Sequence, residues 1–274
     1  MSEAAIVRPR VLIPDAGRLS PDAGRPNPDA DRLGSDADRL DEPRTSRLDA
    51  QRSHHLVRVL RLQAGASLEC FDGRGGRFEA TLAVAAARAC AVRIGTRLAS
   101  NTESPLRVTL LQCLCASERM DWTIEKAVEL GVTAIRPLSS ARSPLRLAAA
   151  RAQRRREHWQ RLIEAACMQC GRDVLPQLHE LQALDRWLAD SRRPQGALSL
   201  ALAPDATRGL REMSFGPERE IELLVGPESG LDAHELEAAR RAGFTAVRLG
   251  PRTLRTETAG VAALAALQAL AGDF

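Results

Sequence analysis

A chain of 274 residues that is 44% hydrophobic but only 3% aromatic, with no Tyr, must build its core from Leu, Val, Ile and Ala. The formal net charge is +4, and Lys126 is the one lysine among 39 basic residues, so the surface is armed with arginine, whose planar fork suits phosphate oxygens. No run of about 18 apolar residues occurs and no long apolar stretch opens the chain, which argues against a transmembrane helix and a signal peptide.

The six cysteines (positions 70, 90, 113, 115, 167 and 170) sit mostly in apolar segments, the pattern of packed, reduced thiols in a cytoplasmic protein. Cys167 and Cys170 have CxxC spacing, and Cys113 and Cys115 share a strand face. Neither is joined by a second pair at zinc-finger spacing, so no metal site is expected.

In chain order, residues 14–41 repeat every seven residues as PDAGRLS, PDAGRPN, PDADRLG and SDADRLD. A heptad invites a coiled coil, but each unit has at most one large apolar residue, and Pro and Gly recur where a helix would run. The segment is expected to be a flexible insertion that cannot bury enough surface to fold.

Residues 49–62 predict an amphipathic helix with Leu56, Val59 and Leu60 on its buried face. Alternating runs at 67–71 and 77–84 flank Asp72-Gly73-Arg74-Gly75-Gly76, a hairpin signal, and 90–94 adds a further strand. Together these predict a small β-rich module ending near residue 100, with 101–105 as linker.

From residue 106 strands and helices alternate. Residues 108–114, 197–203 and 221–225 are continuous apolar runs, the mark of strands buried on both faces. Residues 134–137 and 246–249 are shorter strands. Helices are expected at 117–130 (stopped by Gly131), 151–170, from Asp232 to Gly243 with Glu235 in capping-box position, and 259–271. This rhythm predicts a parallel α/β sheet.

Ligands of open α/β sheets bind beyond the carboxyl ends of the strands, and two such ends are unusual here. One is Val225-Gly226-Pro227-Glu228-Ser229-Gly230; the other runs from Leu249-Gly250-Pro251 through Arg252-Thr253-Leu254-Arg255-Thr256-Glu257-Thr258-Ala259 to Gly260. Glycine directly after a buried strand lets the backbone approach a ligand closely. Neither loop carries a dinucleotide or P-loop signature. Arg255 and Glu257 are expected to be buried.

GPESG and LGPRTLRTETA resemble the signature of the SPOUT methyltransferases and, more narrowly, of the bacterial RsmE family. The segments HHLVRVLRL, FDGRGGRFEA, SERMDWTIEKAVELGV and CMQCGR resemble that family too, so that the likeness spans 47–270. It implies a PUA-like RNA-binding β-barrel over 1–100, its first strand at 11–13 and the 14–41 insertion looped out beyond it. It further implies a trefoil-knotted methyltransferase domain over 105–274 and a homodimer with each active site at the subunit interface. The activity implied is S-adenosylmethionine-dependent methylation of N3 of a uridine in small-subunit (16S) ribosomal RNA.

On this resemblance the donor would be held by Leu200, Val225, Gly226, Pro227, Glu228 and Gly230, and by Leu249, Gly250, Leu254, Arg255, Thr256, Thr258 and Ala259. Glu257 and Glu228 are the carboxylates placed to take a proton, and Arg255 the cation to hold the uracil or a phosphate; bracing of the loop is the alternative for each. Arg58, Arg142, Arg146 and Arg172 are candidate RNA contacts, with Arg154, Arg155 and Arg156 as further basic residues. His54 and His55 are expected to be structural or RNA-contacting. Ser229 replaces a usual family glycine; if that position needs φ > 0, serine costs about 1 kcal/mol. A methyltransferase for another RNA, and a non-catalytic RNA-binding assembly factor, are the alternatives to this function.

Overall fold

The computed structural model describes residues 8–20, 44–143, 149–190, 196–215 and 220–274. The chain divides into two units, Met1–Thr102 with Gly171–Val174, and Glu103–Cys170 with Leu175–Phe274.

The first unit is a five-stranded sheet built from β1 (Arg10–Leu12), β2 (Thr45–Arg47), β3 (Ser67–Phe71), β4 (Arg77–Val84) and β5 (Ala91–Leu98), with α1 (Ala16–Leu19) and α2 (Ala50–His54). The order is β1-β3-β4-β5-β2, antiparallel except for the β1–β3 pair. Alternation does the sorting: Phe78, Ala80 and Leu82 of β4 face inward onto Leu68, Cys70, Val92 and Ile94. The β3–β4 turn closes as its composition predicts. The Asp72 carboxylate accepts from the backbone N–H groups of Arg74 and Gly76 at 2.8 Å each, and Gly73 and Gly75 take positive φ. The segment Gly171–Val174 lies against this turn, where Gly75 N–H donates to the Asp173 carbonyl at 3.0 Å. The Asp173 carboxylate, fully buried, accepts from Arg10 and from the Ser100 hydroxyl.

Two expectations for this unit are corrected. The first heptad of the repeat is folded: 14–20 contains α1, Ala16 is fully buried, Leu19 packs on the core, and the buried Ser20 hydroxyl donates to the Gly95 carbonyl at 3.2 Å. One apolar residue per unit is enough when a preformed sheet supplies the rest of the contact surface. Residues 21–41, the other three heptads, lie outside the described residues.

The helix predicted over 49–62 is also different. Asp49 caps α2, accepting from Arg52 N–H at 2.8 Å, but the chain then widens into a π-helix over His55–Val59. A π-turn rotates every later residue relative to an α-helix. Leu56 is buried as expected, Val57 and Leu62 pack on the core instead, and Val59 and Leu60 are exposed. Arg61 follows at φ 54°, the one non-glycine residue with positive φ among those described.

The second unit holds β6 (Arg107–Cys113), α3 (Ser117–Glu129), β7 (Ala134–Ser139), α4 (Ala149–Cys170), β8 (Gln177–Leu178), β9 (Gln182–Ala183), α5 (Leu184–Leu188), β10 (Leu198–Leu202), β11 (Glu220–Val225), α6 (Ala233–Arg241), β12 (Thr245–Val247) and α7 (Thr256–Ala271). The sheet order is β12-β10-β11-β6-β7-β8, with β9 also on β7, and every pairing is parallel. Leu111 and Cys113 of β6 and Leu224 of β11 pack under α5 and α6, where Trp187 and Phe244 meet edge to face. On the opposite face α7 lies close: a Cβ added at Gly260 would meet the side chains of Gln112 at 3.2 Å and Val225 at 3.6 Å. β6 and β11 are therefore covered on both faces, as their unbroken apolar runs require.

Gly131 and Gly243 end α3 and α6 with positive φ, and Asp232 with Glu235 forms a complete capping box. The last helix starts three residues earlier than its apolar periodicity suggests, at Thr256, because the polar first turn faces the loops at the sheet end. Two short strands, β8 and β9, and the short α5 carry too little pattern to be read from sequence.

Candidate functional site

Beyond the carboxyl ends of β10, β11 and β12 lies a cleft of about 340 Å³. One wall is the loop after β11: Gly226, Pro227, Glu228, Ser229 and Gly230, with Val225 at its base. The other is the loop after β12: Leu249, Gly250, Arg252, Thr253, Leu254 and Thr256, with Ala259 in the first turns of α7. Leu202, the last residue of β10, with Ala203, Pro204 and Asp205 after it, supplies a third side that sequence reasoning missed. Nothing in that stretch departs from an ordinary strand end, so no local signal marked it.

The loop conformations follow from glycine. A Cβ on Gly226 would sit 2.9 Å from the backbone nitrogen of Leu231, so the turn closes only without one. Gly230 and Gly250 have φ of 72° and 115°, backbone that L side chains rarely adopt. Ser229 does not have positive φ, so the strain expected for it is absent. It is instead tied to Arg142: its hydroxyl donates to the Arg142 carbonyl at 3.4 Å, and Arg142 Nη1 donates to the Ser229 carbonyl at 3.3 Å.

The two loops are stitched together by one hydrogen-bond chain. Gln112, fully buried at the end of β6, donates from Nε2 to Thr256 Oγ1 at 3.1 Å, and Thr256 donates to the Gly226 carbonyl at 2.5 Å. Thr256 thus anchors the start of α7 to the turn after β11.

A charged cluster stands beside this chain. Arg119 of α3 has Nη1 3.3 Å from Glu228 Oε1 and Nε 3.6 Å from Glu257 Oε1. Glu228 Oε1 also accepts from Ala116 N–H at 2.8 Å. The neighbouring Cys115 thiol is pushed up to about 12, first by burial and then by the Glu228 and Glu257 carboxylates, so it stays protonated at neutral pH.

The predicted residues divide accordingly. Val225, Gly226, Pro227, Glu228, Gly230, Leu249, Gly250, Leu254, Thr256 and Ala259 line the cleft. Leu200 lies outside the lining, fully buried one turn of strand below it, and Arg255 and Thr258 also lie outside, exposed to solvent. The expectation that Arg255 is buried is thereby corrected; among the described residues it forms no salt bridge. Glu257 is also outside the lining, with a side chain only 14% exposed.

Of the expected RNA contacts, Arg58 and Arg142 are exposed, whereas Arg172 is 4% exposed and its carbonyl accepts from Arg10. Burial removes Arg172 from any direct phosphate contact in this structure. Arg146 lies outside the described residues. Arg155 is turned inward to the Ser117 hydroxyl. No group of three or more His, Cys, Asp or Glu able to hold a metal occurs among the described residues.

A parallel α/β unit with a glycine-loop cleft, joined to a small β-unit, defines a class that two family models describe. An RNA methyltransferase domain matches residues 102–268, and an RNA methyltransferase PUA domain matches 48–95. The chain belongs to the family of ribosomal RNA small subunit methyltransferase E. Curated relatives of that name from Buchnera aphidicola (subsp. Schizaphis graminum) and Bacillus subtilis are 31% and 30% identical to it; the alignments cover 82% and 83% of this chain and 91% of each relative. Among solved structures, ribosomal RNA small subunit methyltransferase E from Neisseria gonorrhoeae, bound to S-adenosyl methionine, aligns with TM-score 0.82 at 32% identity, covering 97% of this chain and 99% of that one. A methyltransferase from Legionella pneumophila in complex with S-adenosylmethionine aligns with TM-score 0.79 at 34% identity, covering 84% and 93%.

Proposed function

We propose that the chain methylates N3 of a uridine in small-subunit ribosomal RNA, with S-adenosylmethionine as donor, and that it does so as a homodimer with a knotted C-terminal domain. The observation that carries this is the cleft at the ends of β10, β11 and β12, in a member of this family. Its chemistry fits the donor. The apolar side chains of Val225, Leu249 and Leu254 offer a slot for a flat base, and the glycine turns expose backbone N–H and C=O groups for its edge. Glu228 brings a carboxylate to the lining, suited to a cation. Bound there, the donor supplies a methyl group made electrophilic by its sulfonium.

The protein's own tasks are then to hold the uracil, exclude water and manage one proton. N3 of uridine is protonated at neutral pH, so the N3–H bond must break as the N3–CH₃ bond forms. Glu228, exposed in the cleft wall and held by Ala116 N–H and Arg119, is better situated to receive that proton than Glu257, which is outside the lining. Arg255, exposed beside Leu254 and Thr256, is free to meet a phosphate or the uracil as negative charge develops on it. Arg58 and Arg142 are exposed and suited to RNA phosphates.

Calorimetric titration with S-adenosylmethionine, alongside Gly226→Ala, tests the donor site. The native protein is expected to bind and the variant, whose Cβ meets the Leu231 backbone, to lose most of that affinity. Labelled methyl transfer to small-subunit RNA, followed by mapping of the product base, tests the rest. A folded protein that binds no donor would overturn the function.

A further inference from the structure

We propose that Arg119 is a positioning residue for methyl transfer, its single guanidinium holding Glu228 and Glu257 as one charged unit beside the cleft. The proposal rests on the methyltransferase function above.

The geometry distinguishes the two carboxylates. Glu228 belongs to the loop after β11 and has a second donor, Ala116 N–H, that would hold it without Arg119. Glu257 belongs to the first turn of α7 and has no such support: Oε1 faces Arg119 Nε at 3.6 Å, and Oε2 is buried with no hydrogen-bond partner among the described residues. A buried carboxylate oxygen left unpaired is costly, so the placement of Glu257 depends on Arg119. The Cys115 thiol lies near all three groups, its pKa raised first by burial and then by both carboxylates, and lowered by the arginine.

Guanidinium shape explains how one residue serves two acids. Its Nε side meets Glu257 while Nη1 meets Glu228, a division that the point charge of a lysine cannot reproduce. Arg119 thereby ties α3 to both loops, and the trio carries one net negative charge where a cationic donor and a proton-accepting carboxylate are needed. Without the arginine, Glu228 keeps only Ala116 N–H, and Glu257 keeps no charged partner among the described residues. Glu228 is then fixed at one point instead of two, and the tie between the loop after β11 and the first turn of α7 is lost.

The test uses the full chain with Arg119→Gln, Arg119→Lys, Glu257→Gln and the Arg119→Gln/Glu257→Gln double variant. Donor affinity, kcat, KM for the ribosomal RNA and thermal unfolding are measured for each. Arg119→Gln is expected to lower kcat by about tenfold or more while KM for RNA stays within about twofold, the pattern of a lost transition-state arrangement. Arg119→Lys is expected to recover part of that loss, and the double variant to exceed Arg119→Gln because the uncompensated charge is gone. Independently of activity, Arg119 and Glu257 are expected to show coupling in a double-mutant cycle of unfolding. The proposal is overturned if Arg119→Gln keeps kcat within about twofold of native, if its loss appears in KM alone, or if the cycle shows no coupling. Should Arg119→Gln fail to fold, Arg119→Lys decides: native kcat in that variant overturns the proposal. Coupling in a protein that binds no donor would overturn the function and leave the clamp standing.

Discussion

Thr256 works as both acceptor and donor: it takes a hydrogen bond from Gln112 and gives one to the Gly226 carbonyl. Valine at this position keeps the shape and loses both bonds, leaving buried polar atoms without their partner. Thr256→Val is expected to cost about 1–3 kcal/mol in urea unfolding and to weaken donor binding, because the two loops are no longer tied. Ser229 makes the contrasting case. Its hydroxyl bond to Arg142 is long and exposed, and its backbone is unstrained, so Ser229→Gly is expected to leave donor affinity within about twofold by calorimetry. A much larger change would show that the loop depends on the serine.

The start of α6 does two jobs. Asp232 caps the helix by accepting from Glu235 N–H at 2.8 Å, and Glu235 returns the bond to Asp232 N–H while its other oxygen accepts from Ala141 N–H at 2.7 Å. Asp232→Ala is expected to cost about 1 kcal/mol, the usual worth of a cap. Glu235→Ala should cost more, since it also frees the segment after β7.

At the far ends of the strands, β7 and the residue after β8 share a different pair. Arg136 Nη2 lies 3.0 Å from His179 Nδ1, so the arginine donates and the ring is neutral. Burial first, then Arg136 and Arg156, lower the His179 pKa from 6.5 to about 4. The sign follows directly. Between these values the unfolded chain binds a proton that the folded chain refuses, so this contribution to stability is complete above pH 6.5 and is lost as pH falls towards 4. His179→Gln is expected to flatten that part of the stability–pH curve measured by chemical denaturation.

For the whole molecule, the repeat region is decided by where its ends are pinned. Ser20 is bonded to the Gly95 carbonyl, and Ile94 N–H to the Arg44 carbonyl, so the two residues that flank 21–43 meet neighbouring residues of β5. Replacing 21–43 by a short Gly/Ser link is expected to leave the melting temperature nearly unchanged. Removing 14–43 should lower it clearly, since α1 and the Ser46–Asp15 contact go too. Trp122, Leu270 and Phe274 are exposed on α3 and at the C-terminal end of the chain. Such apolar surface supports the proposed dimer, and sedimentation equilibrium is expected to give twice the chain mass, shifting towards monomer in Trp122→Glu.

Sequence alone determined what depends on neighbours along the chain. The strands at 67–71 and 77–84 match their alternation, β6 and β11 match unbroken apolar runs, the Asp232–Glu235 box matches its spacing, and the two glycine loops stand where their composition put them. What depends on distant partners was left to tertiary structure. Leu202–Asp205 became a cleft wall only because β10 lies between β11 and β12, and Arg119, which looks like any helix-surface arginine, became notable only when Glu228 and Glu257 arrived from positions more than a hundred residues away. The first heptad folded because a sheet was there to receive Ala16, and Arg172 is buried in a segment, Gly171–Val174, that packs with the first unit far from it in sequence. Periodicity reports which way a side chain points relative to its own backbone; which other backbone it meets is set by the packing of the sheet.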